Sequence, residues 1–143
     1  MTDLSTTSET SRGANAVRLS VIVPVRDEIG RIAEVIARLE AQTLPPDEVV
    51  IADGMSTDGT REWLADAAKT RPWIRVVDNP KRIVPAALNA AFFASKGDLV
   101  ARMDAHADYA PDYLEQVVTF LDEHPEAVAV GGAMATATIV ERI

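Results

Sequence analysis

The stretch Leu19 to Val25, LSVIVPV, constrains the fold more than any other part of the chain. It is a nearly unbroken apolar run of strand length. A strand with one wet face alternates apolar and polar residues, whereas a continuous run suits a strand covered on both faces, as in a parallel sheet packed between helices. Pro24 weakens ladder pairing near the end and helps the chain leave the sheet. The charged turn Arg26-Asp27-Glu28 follows at once.

The rest of the chain repeats this plan. Ile29, Ile32, Ala33, Ile36 and Leu39 recur at helical spacing, with Arg31, Glu34, Arg38 and Glu40 opposite, and Leu44-Pro45-Pro46 stops the helix. A second strand, Glu48 to Ala52, ends at Asp53-Gly54. Ser56 to Thr60 then supply turn residues and N-cap candidates for a helix through Trp63, Leu64, Ala67 and Ala68. A short third strand lies near Ile74 to Val77. The basic loop Asn79-Pro80-Lys81-Arg82 comes next, and Pro85 suits the first turn of a helix reaching about Ser95. Gly97 resets the chain into a fourth strand, Leu99 to Ala101 with Met103, which ends abruptly in Asp104, His106 and Asp108. Pro111 and Asp112 start a helix through Tyr113, Val117, Phe120 and Leu121 that stops before Pro125, and Ala127 to Val130 reads as a fifth strand ending in Gly131-Gly132.

Alternating strands and helices with short loops imply an α/β fold, an open, mainly parallel sheet with right-handed crossovers and flanking helices. One domain is expected over residues 18–143. It follows a Ser/Thr-rich tail over residues 1–17 that lacks the apolar core of a signal peptide and reads as disordered. The 143 residues, 48% of them hydrophobic, suit a single globular domain. No run approaches the roughly 18 apolar residues of a membrane span. The absence of cysteine excludes disulfides and thiolate metal sites and fits the cytoplasm. A net charge of −8 argues against a nucleic-acid partner, which demands clustered Lys and Arg.

In open parallel sheets a ligand sits beyond the carboxyl ends of the strands, where the strand order reverses. In the order 3-2-1-4, Arg26, Asp27, Glu28, Asp53, Asp104 and His106 all gather on one rim. An Asp-x-His triplet alone more often caps a turn. Gathered with other carboxylates at a strand end, it can hold a divalent cation against a phosphate. The sequence has neither G-x-x-x-x-G-K-[ST] nor a G-x-G-x-x-G after the first strand, so the glycine cradles of P-loops and dinucleotide folds are missing. A rim of carboxylates can instead bridge a diphosphate through Mg²⁺ or Mn²⁺. Asp53, away from the metal, can accept from a nucleobase imide or a ribose hydroxyl.

Four segments, SVIVPVRDE, VVIADGMSTDGT, NPKRIVPAALNAA and GDLVARMDAH, together resemble the N-terminal half of family 2 glycosyltransferases with the GT-A fold, from about Leu19 to Gly132. Within that family the chain is most similar to enzymes of bacterial exopolysaccharide assembly of the succinoglycan type, whose fourth strand also reads R-x-D-A-H. The resemblance implies inverting transfer of a sugar from a nucleotide-diphosphate sugar, a UDP-sugar by expectation, to a glycan or lipid-linked acceptor. Pro24, Val25, Arg26 and Glu28 match the segment that wraps the nucleotide, with Glu28 on the ribose or base. Asp53 matches the first Asp of the usual Asp-Asp-Gly and would bind the base, although the second Asp is Gly54 here. Asp104 matches the first residue of the Asp-x-Asp metal motif and His106 stands at its second, where an imidazole suits Mn²⁺ better than Mg²⁺; Asp108 is a substitute ligand. Lys81 and Arg82 stand where they can contact the diphosphate, although such a loop is more often simply solvated.

The resemblance also implies that the general base lies beyond Ile143, so that these 143 residues alone are expected to be inactive. It places the full-length protein in the cytoplasm at the inner face of the membrane, associated with lipid-linked acceptors through regions outside this chain. A sheet edge and apolar patch left bare would favour self-association. Two other readings fit part of the sequence: a nucleotide- or metal-binding module without catalysis, and a nucleotidyltransferase. The second normally carries a Gly-rich first loop, and here no glycine precedes Gly30 in that turn. Trp63 and Trp73 read as packing residues, and His124 as a cation at a helix end.

Overall fold

The computed structural model describes residues 17–131. The expected tail, apart from Val17, and the segment from Gly132 to Ile143 lie outside the described residues. Eight elements alternate: β1 (Leu19–Val25), α1 (Ile32–Glu40), β2 (Glu48–Asp53), α2 (Thr60–Thr70), β3 (Ile74–Asp78), α3 (Val84–Ala94), β4 (Leu99–Arg102) and α4 (Tyr113–Glu123). The strands form one parallel sheet in the order β3-β2-β1-β4, as the rim argument requires.

The central strands are buried on both faces: all of β2, and all of β1 except Pro24. Because side chains alternate along a strand, each strand feeds two cores. Val21, Val23, Val49 and Ile51 pack on one side with Ile32, Ile36 and Leu39 of α1, Leu64 of α2 and Leu114 of α4. Ile22, Val50 and Ala52 face the other side and meet Ala87 and Ala91 of α3. Trp63 and Trp73 pack against the larger core, as the sequence suggested. Helix α3 approaches its face through alanines, and Phe92 and Phe93 remain exposed.

The amino end of the sheet is closed by polar ties. Ser20 Oγ donates to Glu48 Oε1 (2.6 Å) and accepts from the Gly97 amide (2.8 Å), while the Lys96 amide also donates to Glu48. A Cβ on Gly97 would stand 2.7 Å from the Ser20 nitrogen and 2.8 Å from the Leu99 carbonyl oxygen, so only glycine brings β4 this close to β1.

Two expectations fail. Ile29 precedes α1 and is 43% exposed, because the chain turns through residues 26–31 before the helix begins. Ala127 to Val130 forms no strand, and Val128 is fully exposed; a strand exists only by pairing, and no described segment pairs with this one.

Candidate functional site

The loops after β1 and β2 interlock. The Asp27 amide donates to Ser56 Oγ (2.7 Å), the Thr57 amide to Asp27 Oδ1 (2.8 Å), and the Glu28 amide to Thr60 Oγ1 (2.9 Å). Asp58 accepts from the Thr60 amide (3.0 Å) and hydroxyl (2.5 Å) and from the Ile29 amide (3.1 Å). The bond from the Thr60 hydroxyl, with those amides, holds the Asp58 carboxyl below its ordinary range. The segment Ser56 to Thr60 therefore leads into α2, whose N-cap is Gly59, and also fixes the β1 turn. Among the described residues, three that are not glycine adopt left-handed backbone angles: Asp27 (φ 50°), Met55 (φ 62°) and Arg82 (φ 62°). One lies after each of β1, β2 and β3. Such strain persists only where the surroundings enforce it, and it concentrates at functional rims.

Beyond these loops opens a cleft of about 380 Å³ at the carboxyl ends of β1 and β4. Pro24, Val25, Arg26 and Glu28 line it from β1, Arg82 from the loop after β3, and Asp104 and His106 from the loop after β4. The structure thus brings seven of the residues singled out in the sequence to one cavity. Arg102 and Asn79 join them. The sequence pattern puts Arg102 inside a strand, and its place two residues before Asp104 sets both on one side of the chain. Asn79 lies in the loop after β3, yet it is 3% exposed, donating from Nδ2 to the Ile83 carbonyl (3.0 Å). Three arginines, Arg26, Arg82 and Arg102, therefore line a cavity that Glu28 and Asp104 also line. That pattern can bind a polyanion and a cation together.

Asp53 and Lys81 stand apart. Asp53 is fully buried behind the rim; its carboxylate accepts from the Ser56 amide (3.1 Å), Ser56 Oγ (2.5 Å) and Arg61 Nη1 (2.8 Å). Arg61 Nη2 reaches on to Asp78 Oδ1 (2.8 Å), and the bonds to Asp53 and then Asp78 raise the guanidinium pKa further. Lys81 is exposed and does not line the cleft. Asp108 is also exposed and pairs with Arg38 of α1 rather than turning to Asp104.

Around Asp104 the packing is looser. Its carboxylate accepts from Arg102 Nε (3.1 Å) and Nη2 (3.3 Å), and the side chains are 41% and 51% exposed. The Asp104 amide donates to the Tyr109 hydroxyl (2.8 Å), whose pKa burial pushes up. His106 Nε2 lies against Glu28 Oε1. A carboxylate and an imidazole make a donor set suited to a divalent ion such as Mn²⁺. Among the described residues no three potential ligands cluster.

This fold and rim have counterparts. Residues 20–139 match the model of glycosyl transferase family 2, and the chain belongs to that family. Its sheet and flanking helices are those of the GT-A glycosyltransferases. The succinoglycan biosynthesis protein ExoA of Rhizobium meliloti is 41% identical over 101 residues, 68% of this chain and 31% of that protein. A mannosyltransferase of Pyrobaculum calidifontis, solved with GDP-Man and Mn²⁺, superposes with a TM-score of 0.67 at 33% identity, covering 76% of this chain and 33% of that one. The S. aureus protein TarS, solved with UDP, gives a TM-score of 0.63 at 25% identity, over 76% of this chain and 33% of the other. The chain spans about a third of the length of these relatives. No helix among the described residues is long and apolar enough to cross a membrane.

Proposed function

We propose that this chain carries the donor-binding part of an inverting glycosyltransferase. The full-length enzyme transfers a sugar from a nucleotide-diphosphate sugar to a glycan or lipid-linked acceptor in exopolysaccharide or cell-envelope assembly. The observation that carries the reading is the single cleft in which Arg26, Arg82 and Arg102 meet Asp104, His106 and Glu28, in a family 2 chain. Arg26, Arg82 and Arg102 bind the diphosphate and offset its charge as the sugar leaves. Asp104 and His106 hold a divalent cation, which when bound supplies further charge neutralisation on the leaving diphosphate. Pro24 and Val25 wall the nucleoside. Asp53 acts at one remove, keeping the Ser56 loop in the shape that receives the nucleotide. A uridine nucleotide is the first donor to test, and the reading assigns no general base to these residues.

Calorimetry with UDP and with GDP, each with and without Mn²⁺, tests it. Nucleotide binding should tighten at least tenfold, about 1.4 kcal/mol, when Mn²⁺ is present, and Asp104→Ala should remove that gain. His106→Asp should shift the preference from Mn²⁺ toward Mg²⁺. If neither nucleotide binds more tightly with the metal, or if Asp104→Ala retains the gain, the donor-site reading is wrong.

A further inference from the structure

Glu28 is the buried carboxylate of the cleft. Its backbone is fixed on both sides: the amide donates to Thr60 Oγ1 (2.9 Å), and the carbonyl accepts from the amides of Arg31 (2.9 Å) and Ile32 (2.8 Å). Its side chain is only 10% exposed, and the group it meets is Nε2 of His106, itself 67% exposed. A carboxylate withdrawn this far from water needs a donor opposite it. An imidazole that gives its Nε2–H to the carboxylate keeps its lone pair on Nδ1. His106 lines the same cavity as Asp104 and follows it by two residues.

We propose that Glu28 is a positioning residue for His106. Its carboxylate accepts the Nε2–H, fixes the tautomer and the ring, and leaves Nδ1 available as a ligand that, with Asp104, would hold the divalent cation. The proposal rests on the donor-site reading above and deepens it, giving Glu28 to the imidazole rather than to the ribose. A carboxylate behind a ligating histidine raises the basicity of that ligand. It therefore lets an Asp-x-His sequence hold Mn²⁺ where one of the two carboxylates of the usual motif is missing.

The test is a double-mutant cycle on Mn²⁺ affinity, read from the electron paramagnetic resonance of the free ion with UDP present and again with GDP. Glu28→Ala should weaken Mn²⁺ binding roughly 10- to 100-fold. Glu28→Gln, which keeps a carbonyl acceptor, should lose less. In a His106→Ala background neither change should cost anything more, because the group that Glu28 positions is gone. Equal losses in both backgrounds, or no loss from Glu28→Ala, overturn the proposal. If circular dichroism shows Glu28→Ala unfolded, Glu28→Gln closes the same cycle under the same criteria. Asp104→Ala run alongside separates the two ideas. Metal dependence that survives it refutes the donor site itself; metal dependence that vanishes, with no coupling between positions 28 and 106, refutes only the role of Glu28.

Discussion

Asp53 and Asp104 each stand at the carboxyl end of a parallel strand, and the structure treats them in opposite ways. Asp53 is sealed from solvent, with Ser56 and Arg61 occupying its oxygens and Arg61 in turn tied to Asp78. Asp104 faces an open cavity and holds only a half-exposed arginine at 3.1 Å or more. One is a structural clamp between β2, β3 and α2; the other has capacity to spare for a ligand. A carboxylate's place on the rim nominates it, and its unspent acceptors and exposure decide what it does. The first loses its value if its partner is removed, the second if a ligand's phosphate has nothing to bridge through.

The contrast can be broken most forcefully at Arg61. Arg61→Ala leaves the Asp53 charge buried with only Ser56 to satisfy it. It should cost about 2–3 kcal/mol, toward the lower end for a broken buried pair because Arg61 is one-third exposed. The midpoint of urea unfolding measures this. A loss below about 0.5 kcal/mol would mean that the clamp is decorative. Asp104→Ala in the same assay should move stability by under about 1 kcal/mol, since exposed pairs contribute little.

A third carboxylate sharpens the comparison from the opposite end of the sheet. Burial alone would push Glu48 up, but the hydrogen bonds from Ser20 and the Lys96 amide, with Arg18 and Arg75 nearby, outweigh it and hold its pKa below the ordinary 4.5. The folded-state pKa is the lower one, so this stabilisation is complete above the unfolded pKa and is lost as pH falls through the folded value. Acid unfolding followed by fluorescence should therefore steepen below pH 4.5, and Glu48→Gln should flatten that limb. An unchanged acid limb in the variant would assign the effect elsewhere. The smallest change belongs to Asp108, which is exposed and paired with Arg38. Asp108→Ala should cost no more than about 0.5 kcal/mol and leave Mn²⁺-dependent nucleotide binding intact. A loss of metal dependence there would move the cation away from His106.

Much of this was legible in the residues. The apolar runs of β1 and β2 announce burial on both faces, and the turn residues after each strand announce the alternation; the rim follows once the strands take the order β3-β2-β1-β4, which the pairing of the sheet supplies. Seven nominated residues, Pro24, Val25, Arg26, Glu28, Arg82, Asp104 and His106, line the cleft for the same reason. The fate of Asp53 was not legible. Its partner Arg61 lies eight residues on, across a loop whose path depends on left-handed angles at Met55 and Gly59, and nothing local in the sequence fixes where that guanidinium points. Ala127 to Val130 misled because apolar composition reports a tendency, while a strand depends on a neighbour to pair with. Arg102 escaped notice because a residue inside a strand is judged by its neighbours in sequence, and its place at the cleft comes from a strand end that only the register reveals.

That register carries one more consequence. β4 stops at Arg102, level with Ile22, while β1 runs on beside β2 to Val25, opposite Asp53. At roughly 3.3 Å per residue, the mismatch of Val23, Pro24 and Val25 makes a step about 10 Å high in the sheet's edge. The cleft is that step. Its height belongs to the ladder and the packed core, and its furnishing belongs to the loops that follow β1, β3 and β4. The residues at positions 104 and 106 can therefore be exchanged without disturbing a single rung of the sheet beneath.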